Sequence, residues 1–86
     1  MERSEKVNSS ILAIFDNGGK TIDRYSVYLK YDKNYKIFIT MSENPTFPTG
    51  VFMTDLVKDV VKLGKTIKFN DLNKNCKKAL VDWYNS

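Results

Sequence analysis

Apolar and polar positions alternate with period two over much of this 86-residue chain, and that pattern predicts a small antiparallel sheet. Ile11-Leu12-Ala13-Ile14-Phe15 is a short apolar run that ends in Asp16-Asn17-Gly18-Gly19. Asn and Gly tolerate the positive φ values of tight turns, so this reads as a strand entering a hairpin. From Thr21 to Tyr31 the chain alternates again, with Tyr25, Val27 and Leu29 on one side and Arg24, Ser26 and Tyr28 on the other. Asp32-Lys33-Asn34 supplies the next turn, and Tyr35 to Met41 a third strand in which Ile37, Ile39 and Met41 face the core.

Ser42 to Gly50 breaks the ladder. Pro45 and Pro48 remove backbone donors and restrict the residues before them, so an ordered loop is expected, anchored on the core by Phe47. After Val51 the period changes: Phe52, Leu56, Val57, Val60 and Val61 share a helical stripe, with Gly64 as the stop. Lys65 to Phe69 alternates as a short fourth strand whose lysines suit an exposed edge. Asn73 caps a last helix that buries Cys76, Ala79, Leu80 and Trp83. Residues 1–8 are polar and read as a flexible N-terminal arm, leaving 9–86 as one domain. The expected fold class is α+β: a three-stranded antiparallel meander plus a short fourth strand, packed with two α-helices.

Eighty-six residues support one modest core, and a single cysteine permits no internal disulfide. Burial must therefore supply the stability, and self-association would add to it, so a homo-oligomer is expected. No apolar run is long enough for a membrane span or a signal peptide, which points to a cytoplasmic protein with no membrane partner. The net charge of +4 lies entirely in the last third. Residues 58–86 carry seven lysines against three aspartates, while residues 1–57 balance seven basic against seven acidic side chains. Such a distribution fits a nucleic-acid-binding protein or, equally simply, a lysine-rich solvated surface. Arginine is scarce in this segment, which favours the second.

The chain has no histidine, so it lacks the common neutral-pH base and the commonest transition-metal ligand. A lone Cys76 without histidine makes neither a zinc site nor a Cys–His nucleophile. Gly18-Gly19-Lys20-Thr21 lacks the first glycine and the following helix of a phosphate-binding P-loop. Asp16, Asp23 and Glu43 remain as carboxylates, and turn capping accounts for them more simply than acid–base work. No enzyme, metal or cofactor is expected.

Two polar clusters hold the groups suited to binding. In Asp23-Arg24-Tyr25 the guanidinium presents a planar fork to phosphate or carboxylate, and Tyr25 or Tyr28 offers a ring for stacking. Asn17, Gly18 and Gly19 offer backbone N–H groups without obstructing side chains. Ser42, Glu43, Asn44 and Pro45 form the second corner. The competing account pairs Arg24 with Asp23 or Asp16, lays the tyrosines on the sheet and lets the prolines merely end a strand.

The string IFDNGGKTIDRYSV, then MSENPTFPTG, then LGKTIKFNDL resembles a group of short, uncharacterised phage, prophage and plasmid proteins. These share a DNGG…DRY block, an S-x-N-P…P-x-G block and a closing L-G-x-x-I-x-[FW]-x-D-L segment. The likeness spans about residues 13–72 and includes Pro48 and Gly50. It departs at Val51-Phe52-Met53, which is apolar where the group is more polar and Gly-rich. No established activity attaches to the group. Small phage proteins without catalytic machinery often act by binding. The phage-type setting together with the two polar clusters leads to the expectation of a non-enzymatic protein of the host cytoplasm that captures an anionic small molecule, a nucleotide signal, and so antagonises antiviral defence. The alternatives are a protein–protein inhibitor of a host defence enzyme and a basic nucleic-acid binder. The expected ligand-binding residues are Asp16, Asn17, Gly18, Gly19, Asp23, Arg24, Tyr25, Ser42, Glu43, Asn44 and Pro45.

Overall fold

A computed structural model describes residues 3–86 as five antiparallel strands with two α-helices on one face. The elements run α1 (Arg3–Ser10), β1 (Ile11–Asp16), β2 (Tyr25–Lys30), β3 (Lys36–Met41), β4 (Phe52–Val57), β5 (Lys65–Ile67), a single 3-10 turn (Phe69–Asp71) and α2 (Lys74–Tyr84). Strand order is β4-β3-β2-β1-β5, so β1 to β4 form a meander and β5 returns to pair with β1. The α+β class and the three-strand meander stand as expected.

The core lies between the sheet and the helices. Ile14, Tyr25, Val27, Leu29, Ile39 and Met41 meet Val7 of α1 and Cys76 and Leu80 of α2, with Phe69 and Leu72 closing one end. Asn73 caps α2 by accepting from the Cys76 N–H. β2 sits at the centre and is buried on both faces from Tyr25 to Leu29. On its far face, Tyr28 packs edge-on against Phe15 and alongside Phe38. A strap of residues 58–64, without regular structure, runs over that face. The Tyr28 hydroxyl donates to the Val61 carbonyl and accepts from the Val61 N–H, both at 3.2 Å.

Four expectations need correction. The stretch after Val51 is a strand, β4, not a helix. Phe52 and Leu56 are four apart, a spacing that both periods put on one face, and β-branched Thr54 and Val57 favour the extended form. Pairing with β3 (Met41↔Phe52, Ile39↔Thr54, Ile37↔Leu56) decides the matter. Gly64 is therefore not a helix stop. It lies against the β1 end, where a Cβ would come within 2.4 Å of the Asp16 carbonyl oxygen.

Secondly, residues 3–8 of the supposed arm belong to α1, and Val7 is fully buried; residues 1 and 2 lie outside those described. Thirdly, β2 begins at Tyr25, so Thr21 to Arg24 belong to the preceding loop. Fourthly, Phe47 does not anchor its loop, being 55% exposed, whereas Pro45 is buried. Among the described residues no helix is long and apolar enough to cross a membrane.

Candidate functional site

The two polar corners meet at one end of the sheet. The loop of residues 17–24 joins β1 to β2, and the loop of residues 42–51 joins β3 to β4. Because β2 and β3 are neighbours with Tyr25 opposite Met41, Arg24 and Ser42 emerge side by side. Between the loops lies an open cavity of about 260 Å³ lined by Gly19, Thr21, Ile22, Arg24, Ser42, Glu43, Asn44, Phe47, Thr49 and Gly50.

Arg24 dominates this cavity. Its Nε donates to Asp16 Oδ1 at 2.7 Å and its Nη2 to Asp16 Oδ2 at 3.0 Å, a two-pronged pairing that fixes the plane of the guanidinium. Nη1 donates to Glu43 Oε1 across the loops. The guanidinium also lies 5.2 Å from the centre of the Tyr25 ring. The Arg24 hydrogen bond holds the Asp16 carboxyl below its ordinary value of 3.8, with a further bond from the Gly18 N–H acting the same way. Bonds to Asp16 and Glu43 raise the Arg24 pKa in turn, so it stays charged at any working pH. The two carboxylates are not equivalent. Asp16 is 19% exposed and half-buried, whereas Glu43 is 54% exposed.

Each loop is built by its own polar side chains. Gly18 and Gly19 have φ of +78° and +84°, which L side chains rarely adopt. Asp16 accepts from the Gly18 N–H, while Asn17 accepts from the N–H groups of Gly19 and Lys20 and donates to Thr21 Oγ1. These backbone donors, expected to be open to a ligand, are therefore already used within the turn. The second loop folds back on itself so closely that a Cβ at Gly50 would lie 2.1 Å from the Asn44 carbonyl oxygen. Ser42 holds its base, accepting from the Val51 N–H.

Helix α2 pins this second loop. Asn73 Nδ2 donates to the Glu43 carbonyl, Asn75 Nδ2 to Asn44 Oδ1, and the buried Cys76 thiol to the Ser42 carbonyl at 3.3 Å. Burial, together with the Glu43 charge, pushes the Cys76 thiol up to about 11, so it remains protonated and inert. Preorganisation of the corner thus comes from α2 as well as from the prolines.

Of the eleven expected residues, Gly19, Arg24, Ser42, Glu43 and Asn44 line the cavity. Asp16, Asn17 and Gly18 support it from behind and line a second cavity of about 480 Å³ with Lys20, Leu63, Gly64 and Lys65. Pro45 is buried beneath its loop and Asp23 is exposed away from the lining. Tyr25 is in the core and Tyr28 lies beneath the strap, so neither ring offers a free face for stacking. Thr21, Ile22, Phe47 and Thr49 line the site and were not foreseen. Exposed Ile22 and Phe47, large apolar side chains inside polar turns, were the available signal.

Among the described residues no group of three or more His, Cys, Asp or Glu side chains is placed to hold a metal ion. No family model, curated protein or solved structure matches the chain.

Proposed function

We propose that the protein is a small binding module that captures an anionic ligand, a nucleotide or related phosphate, at Arg24. One observation supports this above the others: two corners distant in sequence converge on a cavity around one permanently charged, planar fork. Asp16, Arg24 and Glu43 together carry one net negative charge, so an anion must replace a carboxylate. Exposed Glu43 is the one to leave, since Asp16 grips two nitrogens and is more enclosed. The ligand phosphate then takes the Nη1 edge. With the tyrosines buried, Ile22 and Phe47 supply the apolar contact that a base needs.

The chemistry of the site suits holding better than turnover. Asp16 is held as a weak base, Arg24 does not release its proton, and Cys76 stays a thiol. The phage-type resemblance of residues 13–72 supplies the setting, in which sequestering a host nucleotide signal blunts antiviral defence in the host cytoplasm. The C-terminal lysines are spread over the strap, β5 and α2, with Lys78 paired to Asp82, an arrangement that favours ligand capture over a nucleic-acid track. Isothermal titration against linear and cyclic nucleotides is the test. Saturable binding that R24A removes is expected, and uniform silence across the panel would overturn the reading.

A further inference from the structure

The two edges of the sheet are unlike. β5 has three residues bracketed by Lys65 and Lys68, a short charged edge of the kind that resists pairing. β4 has six residues, no lysine and one charge, Asp55, with Met53 at 66% and Leu56 at 48% exposure.

The register fixes which backbone groups of β4 are free. Val51 bonds towards β3, its N–H donating to Ser42 Oγ and its carbonyl accepting from the Ser42 N–H. Antiparallel strands alternate inward and outward groups, so Met53, Asp55 and Val57 also bond inward, while Phe52, Thr54 and Leu56 point to the open edge. The Leu56 N–H bears this out: with no strand beyond it, it donates to Asp55 Oδ1 at 2.8 Å.

We propose that β4 pairs antiparallel with β4 of a second copy of this chain, with the two-fold axis passing through Thr54. In that register Thr54 exchanges both bonds with the partner's Thr54, and Phe52 and Leu56 exchange theirs with the partner's Leu56 and Phe52. Every outward group of the strand is then paired, the Leu56 N–H exchanging its bond to Asp55 Oδ1 for one across the interface. Centring on Asp55 instead sets the two carboxylates face to face, and centring on Met53 leaves Leu56 unpaired. Through Thr54, each Asp55 lies opposite the partner's Met53, so the charges do not confront each other.

About six ladder bonds, at roughly one per 100–200 Å² of interface, correspond to roughly 600–1,200 Å². That reaches only the low end of specific interfaces, about 1,200 Å². The remainder would come from the groove beside this edge, about 410 Å³, lined by Tyr31, Ile37, Thr54, Asp55, Leu56 and Trp83, which a second β4 would partly cover. The inference does not depend on the Arg24 site.

Sedimentation equilibrium over about 1 µM to 1 mM checks the assembly, with a rise from 10.0 kDa to twice that mass expected. L56K should weaken the dimer at least tenfold. Cysteine scanning checks the register, because native Cys76 is buried. T54C should oxidise readily to a covalent dimer, whereas M53C and D55C, offset across the axis, should cross-link much more slowly. A monomer at all concentrations, including one that pairs only with a foreign extended peptide, would overturn the proposal. So would equal cross-linking at residues 53, 54 and 55.

Discussion

Gly64 lies against the Asp16 carbonyl so closely that a Cβ there would come within 2.4 Å of that oxygen. The strap and the charged site therefore share a wall, and the atoms in the way are backbone. G64A should cost about 3 kcal/mol or more in chemical denaturation, because neither strand nor strap can give. G50A should behave alike, its Cβ meeting the Asn44 carbonyl oxygen at 2.1 Å. G18A meets no atom within 4 Å and bears only the φ penalty, about 1 kcal/mol.

The proposed exchange of Glu43 for an anion at Arg24 predicts an asymmetry between its two carboxylates. E43Q removes a competitor for the anion and should tighten nucleotide binding by up to about fivefold, the effect of losing an exposed ion pair. D16N should weaken both binding and stability, since it releases the guanidinium from its fixed plane. Calorimetric titration of the two variants decides. A weaker-binding E43Q would mean that Glu43 contacts the ligand instead of yielding to it.

Asp16 also sets an acid limit. Its folded pKa lies below the ordinary 3.8, so the folded state binds this proton less readily than the unfolded chain does. The stability it contributes is fully present above that value and is lost as pH falls from about 4 through the lower folded value. Thermal melts between about pH 5 and pH 2 should show the decline, with a smaller slope in D16N.

Cys76 acts at the other end of the scale. Its pKa rises from 9.0 to about 11, so its contribution is complete below 9 and is lost as pH climbs towards 11. Thiol reagents should label the native protein slowly at neutral pH and quickly once it is unfolded. C76A should cost about 1–2 kcal/mol, through lost packing and a loosened second loop.

Y28F removes the hydroxyl that holds both polar groups of Val61. A loss of about 1–2 kcal/mol is expected, together with faster proteolytic nicking within residues 58–64. An unchanged cleavage rate would show that Leu63 and Gly64 hold the strap by themselves.

β1 was legible as a short apolar run closed by Asp16-Asn17-Gly18-Gly19, and β2, β3 and α2 because each carries a period and a recognisable turn or cap. Asn73 before Cys76, Ala79 and Leu80 is one example. β4 was misread because Phe52 and Leu56 satisfy both periods, and only Ile37, Ile39 and Met41 across the ladder settle which applies. α1 was hidden because Val7 is the one apolar residue between Arg3 and Ser10, too little to mark a face. At the site, residue types located Arg24 and both corners. The alternation already placed Tyr25 on the side of Val27 and Leu29, and the competing account already paired Arg24 with Asp16. What residue types could not show is that Glu43, from a loop nineteen residues on, takes the third guanidinium nitrogen.

The Arg24 fork adjoins the first residue of β2, the strand flanked by two neighbours on either side and covered above and below. Amide protons from Tyr25 to Leu29 should accordingly be the last in the molecule to exchange with deuterium, escaping only through global opening. On that expectation the Arg24 guanidinium, clamped by Asp16 at the last residue of β1 and next to the first of β2, sits at the border of the part of the protein that opens last.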